Sequence, residues 1–328
     1  MMRPVAIGIA FAALFLASAG SCAPESAEGT KRKSGAERLV KKNGAARMKA
    51  EQEIQRFRDG EPFHGDVSAF TAPDAQAIDL LAQELRNNPK PKVREQVVKA
   101  LVRLGTESDP DKLLTDRRIL ASLFEDGSIH DDCAYMKAMD EVAASAPASV
   151  LREFETTLAR LASRPPVSGL FLVIAKAKAT KALPSLQARK DDPSWNQEES
   201  FAVALAALGD KALERRFIDR FADTRDPKEK MEAAKPLGWI GTPATLKALA
   251  SEMRSPLVFT IPATFRQSVR PAIAKAIQYN YPRDRFLLVV NSDDDYERIE
   301  KFCEKEFGTT WEAPRPPFLT IQPLAPTP

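Results

Sequence analysis

A helical chain built by stacking similar hairpins is what this sequence predicts, and three observations carry that prediction. Ala and Leu dominate the periodic stretches while aromatics make up only 7%, a balance that favours helices over sheets. Between Phe201 and Met253 the chain reads helix, turn, helix, turn, with Leu208-Gly209 closing one segment and Ile240-Gly241 the next. The 32-residue spacing of those glycines lies among the periods of stacked repeats, in which one hairpin cannot bury its own apolar face and relies on its neighbours. The same core positions also recur under longer shifts. A displacement of 104 lays Val97, Ala100, Leu101, Leu104 and Gly105 on Phe201, Ala204, Leu205, Leu208 and Gly209. One of 136 reaches Ala233, Leu237, Ile240 and Gly241, and one of 176 lays Val93, Arg94, Val97, Ala100 and Leu101 on Val269, Arg270, Ile273, Ala276 and Ile277. The shared unit is about 35 residues, and about six hairpins fit between Asp74 and Tyr281.

The totals are compatible with such an array. A 328-residue chain with 44% hydrophobic residues can build a continuous core. The formal charge is only +3, with 28% charged residues, so no electrostatic footprint points to nucleic acid. Cys22, Cys133 and Cys303 are too few and too far apart for a disulfide framework.

Residues 1–21 read as a signal peptide: Arg3, an apolar run from Val5 to Leu16, then small residues. That run is too short for an ordinary membrane span. Ala19-Gly20-Ser21-Cys22 resembles a bacterial lipobox, which implies lipid attachment at Cys22; Ala23-Pro24, lacking Asp, resembles outer-membrane sorting. Ala19 stands where the pattern prefers Leu, and Ala17-Ser18-Ala19 offers an ordinary cleavage site, so soluble secretion is the alternative to anchoring. Residues 22–44 read as a polar, basic tether with Lys31, Arg32, Lys33, Arg38, Lys41 and Lys42. A solvated linker is the plain reading of it, and contact with anionic headgroups the functional one.

The array, 45–282, opens with a capping helix through Met48, Ile54 and Phe57 that Gly60-Glu61-Pro62 ends. Ala77, Ile78, Leu81 and Leu85 predict the first outer helix, up to about Arg86. After Asn87-Asn88-Pro89-Lys90-Pro91, Val93, Val97, Ala100, Leu101 and Leu104 predict an amphipathic inner helix closed by Gly105. Gly105, Gly209 and Gly241 suit helix ends, where a left-handed residue is common and glycine has no Cβ penalty. The second and third units depart from the pattern, Met139-Asp140-Glu141-Val142 lacking the closing pair and Ala177-Lys178 standing in its place. Pro271 is expected in the first turn of a helix capped by Ser268, and Pro236 is expected to bend the helix it sits in.

Pro91-Lys92-Val93-Arg94 leading to Leu104-Gly105, together with Leu208-Gly209-Asp210-Lys211-Ala212-Leu213 and Ile240-Gly241-Thr242-Pro243-Ala244-Thr245-Leu246, resembles short bacterial HEAT repeats of the bilin-lyase-like type. The resemblance covers about two thirds of the chain and implies a right-handed α-solenoid of about six HEAT-like hairpins. It implies little about activity, because that family includes scaffolds, adaptors and chaperone-like proteins as well as bilin lyases.

Residues 283–312 read as a C-terminal cap. Phe286 to Val290 is a short apolar run, and Asn291 to Asp295 introduces a helix with Ile299, Phe302, Cys303 and Phe307. The tail, 313–328, holds six prolines and should be extended, with Phe318, Leu319 and Ile321 lying back on the array.

Several side chains invite a chemical reading and are better explained by structure. His130-Asp131-Asp132-Cys133 carries metal-ligand types, but Ser128 with Asp131 reads as a helix cap and His64 is the only other histidine. Asp293-Asp294-Asp295 lacks the spacing and glycine of a calcium loop and suits a helix start. His64-Gly65-Asp66 has no nucleophile beside it and reads as loop; Cys133 and Cys303 read as free, apolar thiols. No cofactor is called for. The inner helices offer a basic stripe for a protein partner: Lys92, Arg94, Lys99 and Arg103 on one, Lys176 and Lys178 on another, Arg266, Arg270 and Lys275 on the last, interrupted by Glu198 and Glu199.

The reading these observations favour is a non-enzymatic, envelope-anchored scaffold or adaptor that docks a protein partner and is tied to the membrane by lipid. The alternatives are a cofactor-handling or lyase-like enzyme, which the family resemblance alone suggests, and a passive spacer.

Overall fold

The structure is a computed structural model that describes residues 44–45, 47–70, 75–109, 111–125, 133–164, 167–196, 198–261, 265–281, 292–312 and 314–316. The chain divides into two units, Met1–Ala45 and Ala46–Pro328, and every element below lies in the second. Cys22, the tether up to residue 43, the predicted cap at Ser128 with His130 to Asp132, the run from Phe286 to Val290 and the tail beyond Pro316 fall outside the described residues.

The molecule is helical. Helix α1 spans 47–58, followed by α2 (Ala75–Asn87), α3 (Pro91–Glu107), α4 (Arg117–Glu125), α5 (Cys133–Ser145), α6 (Ala148–Arg152), α7 (Glu155–Leu161), α8 (Ser168–Ala177), α9 (Leu183–Gln187), α10 (Pro193–Asn196) and α11 (Glu199–Ala207). Then come α12 (Lys211–Asp223), α13 (Pro227–Ile240), α14 (Pro243–Ser251), α15 (Arg270–Gln278) and α16 (Asp293–Phe307), with 3-10 turns at Thr180–Ala182 and Glu252–Arg254. The one departure from helix among the described residues is an antiparallel hairpin, β1 (Val258–Ile261) with β2 (Phe265–Ser268), in the register Val258 to Ser268 and Ile261 to Phe265. Its β-branched Val258, Thr260 and Ile261 and aromatic Phe259 and Phe265 are strand formers.

Two sets of helices alternate. Helices α3, α5, α8, α11, α13 and α15 each pack on the next, while α2 packs on α4, α12 on α14 and α14 on α16. One apolar cluster runs from Ala50 to Cys303 through every hairpin. Leu81, Leu101, Leu114, Leu158, Ile174 and Ile273 are wholly buried in it, each such side chain stabilising the fold by about 1.5–3 kcal/mol.

The turns show why the repeat signature reads as it does. Gly209 (φ +116°) and Gly241 (φ +56°) adopt the left-handed conformation expected of them. The residue after each then caps the next helix: Asp210 accepts the Leu213 N–H at 3.1 Å, and Thr242 forms a reciprocal capping box with Thr245. Lys178, standing where the third unit lacks its glycine, takes the glycine's conformation (φ +53°). Gly105 corrects the expectation. It lies inside α3, not at its end, where a Cβ would press on the side chains of Leu114 and Ile119. Pro271 sits in the first turn of α15 with the Ser268 hydroxyl accepting from the Arg270 N–H at 3.2 Å, and α13 continues through Pro236. Ser292 caps α16 by accepting from Asp295 N–H at 3.2 Å, so the three aspartates occupy a helix start.

Candidate functional site

A groove opens between α3 and α5. Both are amphipathic: Val93, Val97, Ala100 and Leu101 of α3 and Ala138, Met139, Val142 and Ala143 of α5 are buried against each other and their neighbours. That leaves Lys99 and Arg103 on one side and Lys137, Asp140 and Glu141 on the other facing solvent. The loop after α1 closes one end. Gly65 (φ +84°) turns it, the Phe63 N–H donates to Gln96 Oε1 at 2.9 Å, and the Phe63 ring stands edge-on to Phe57 at 6.0 Å. The result is a groove of about 530 Å³ with Phe63, Val98, Val102 and Thr106 along its floor.

Its rim carries both signs of charge. Glu95 takes Lys137 at 2.7 Å from α5 and Lys99 at 3.1 Å from its own helix, and these two ammonium groups, Lys137 foremost, hold its carboxyl below the usual range. Arg103 pairs with Glu107. Asp140 lies against Gly169, where an added Cβ would come within 2.6 Å of its backbone N and of Oδ1, and desolvation pushes its carboxyl up. Met136 on α5 is 45% exposed. An apolar floor between rims of mixed charge suits a segment of protein with apolar and charged side chains better than a uniformly charged ligand.

The proposed basic stripe is not continuous. Lys92, Lys99 and Arg103 are exposed on α3 and Lys275 on α15, but Arg94 is half-buried, its Nη1 donating to the Asn88 carbonyl at 2.9 Å. Arg270 is a correction. It is 1% exposed, its guanidinium 3.8 Å over the Tyr296 ring, because α16 covers the position its spacing placed on a surface. Arg266 belongs to β2 rather than to a helix, and its side chain lies outside the described residues.

Lys176 and Lys178 are turned inward. Lys176, 5% exposed, donates to the Ala143 carbonyl at 2.7 Å at the end of α5 and lies 5.8 Å from the Trp239 ring. Lys178 donates to the Ile240 carbonyl at the end of α13. Helix C-termini are partially negative, which explains why ammonium groups are tolerated there. Burial still pulls both pKa values down to about 8; for Lys178 the Arg152 charge adds to the effect.

His64 lies on an exposed loop, Cys133 opens α5, and Cys303 is a buried free thiol whose pKa burial pushes up to about 12. Among the described residues no group of three or more His, Cys, Asp or Glu is arranged to hold a metal ion, and no helix is long and apolar enough to cross a membrane. No protein-family model, curated protein or solved structure matches the chain.

Sequence reasoning found Lys99 and Arg103 but missed Phe63, Glu95, Lys137, Asp140 and Glu141. Only the polar positions of α5, at 137, 140 and 141, carried a signal for its open face.

Proposed function

We propose that this chain is a non-enzymatic scaffold or adaptor, a right-handed HEAT-like α-solenoid exported from the cytoplasm, anchored to the cell envelope through a lipid on Cys22, and docking a protein partner in the α3–α5 groove. The observation that carries the docking reading is the groove itself, with its apolar floor of Phe63, Val98 and Val102 under rims that hold Lys99, Arg103, Lys137, Asp140 and Glu141. The alternating helix sets support the solenoid, since each inner helix packs on the next. Export and anchoring rest on the apolar run from Val5 to Leu16 and on Ala19-Gly20-Ser21-Cys22.

Cross-linking in intact native cells, followed by purification through a C-terminal tag, tests this function. The expected result is one stoichiometric protein partner that is lost from the double variant Lys99→Glu, Lys137→Glu. Recovery of the same partner with both chains contradicts the groove; recovery of none contradicts the scaffold and favours a spacer. Replacing Cys22 with Ser is expected to release the chain from the membrane fraction, and unchanged fractionation contradicts the lipid anchor.

A further inference from the structure

Helix α16 ends on Gly308, whose φ of +60° lets the chain reverse. Beyond that turn the backbone runs back over the molecule. Thr309 is buried, the Trp311 Nε1–H donates to the Ser251 carbonyl at 3.1 Å, and its ring lies 4.9 Å from the Arg254 guanidinium. Arg315 then places Nε and Nη2 on one carboxylate oxygen of Glu300, at 3.1 and 2.9 Å, while Arg270 Nη1 donates to the Pro316 carbonyl at 3.4 Å.

The receiving surface draws on the folded helices as well as on the segment. With the segment in place the Glu300 side chain is 3% exposed, and it is also paired with Arg254, at 3.2 and 3.0 Å. Burial alone would raise its carboxyl, yet the Arg315 and Arg254 hydrogen bonds outweigh it and hold it below the usual range. Arg270 is fixed between Ser268 and Tyr296. The segment itself has the character of a ligand: an arginine with prolines on both sides, whose restricted backbone loses little freedom on docking. Beyond Trp311 its one side-chain ion pair among the described residues is Arg315 on Glu300, and these contacts lie on the surface of helices packed beneath it, so the segment can be released without unfolding them.

We propose that the surface formed by α15, α16 and the Glu252–Arg254 turn is a binding site for an extended peptide carrying an arginine between prolines, occupied in cis by the chain's own residues 308–312 and 314–316 as a releasable strap. This site is separate from the α3–α5 groove and does not depend on it.

The test uses the full chain and its Arg315→Ala variant, which leaves Glu300 paired with Arg254 and is checked for unchanged helix content by circular dichroism. The probe is a labelled synthetic peptide with the sequence of residues 310–322, followed by fluorescence anisotropy. Because the wild-type site is filled, the peptide is expected to bind the variant at least about tenfold more tightly. It should lose that affinity when its own arginine is replaced by Ala, and bind more weakly as salt rises. Limited proteolysis of the C-terminal segment should be about tenfold faster in the variant, reporting a larger open population. Failure of the peptide to bind the variant, or equal binding to both chains, overturns the peptide site whatever the cleavage rate.

Discussion

Helices α3 and α5 and helices α8 and α11 belong to one set in which each packs on the next, yet they use the same residue types in opposite ways. On α3 and α5 lysines point outward, pair with Glu95 across an open groove and leave the helices amphipathic. Around α8 and α11 almost nothing points outward: Val173 to Ala177 and Val203 to Ala207 are buried without a break, and the two lysines that end α8 are spent on neighbouring carbonyls. A helix buried on every side has no polar face to offer. The difference arises because α8 meets α13 as well as α11, with Trp239 lying beside Lys176. A charge on one of these helices therefore stays at the surface only where no neighbouring element reaches over it.

The largest expected effect sharpens that contrast through packing. Phe201 of α11 meets Phe171 at 5.3 Å and Trp195 at 5.5 Å, so Phe201→Ala should cost about 3–5 kcal/mol by urea denaturation. A loss under about 1 kcal/mol would mean that the centre is not close-packed.

Next come the buried lysines. The Lys176 and Lys178 ammonium groups titrate near 8 in the fold against an ordinary 10.5. Between these values the unfolded chain binds more protons than the native one, so stability should rise with pH through that window and be lowest below it, by about 2–3 kcal/mol per lysine. The charged groups around Lys178 are Arg152, Glu214 and Lys211, two of which push the same way. Denaturation at pH 7.5 and 9.5 checks the sign, and Lys176→Met should remove part of the slope. Stability that falls over the same interval would contradict the inward placement.

Gly105→Ala is intermediate. The added Cβ presses on the Leu114 side chain, and overpacking set against the roughly 1 kcal/mol that Ala gains in helix propensity leaves an expected loss of at most about 2 kcal/mol, read as a lower urea midpoint. The smallest effect belongs to the groove rim. Lys99→Ala and Arg103→Ala touch exposed ion pairs and should change stability by no more than about 0.5 kcal/mol, which leaves them clean probes of binding.

Much of the fold was legible because it is local. Gly209 and Gly241 close helices and Asp210 and Thr242 open the next, all within a few residues; Ser292 caps three aspartates by the same chemistry. Gly105 was misread because its constraint comes from Leu114, in the following loop. Arg270 sits on the expected helix face, but α16, some twenty residues on, supplies the Tyr296 that buries it. The groove was half legible: the α3 lysine and arginine follow from periodicity, whereas Phe63 reaches it only through the turn at Gly65 and the hydrogen bond to Gln96. Periodicity reveals which face of a helix is polar. It does not reveal what another hairpin lays over that face.

The most direct test is site-specific photo-cross-linking in native cells, with the photoreactive residue placed at Lys99 in the groove or at Lys275 on α15, both exposed. A discrete adduct with a second protein from position 99, and none from 275, is the predicted result. Adducts from 275 alone, or from neither position while the chain is present at normal levels, would contradict the α3–α5 groove as the docking site.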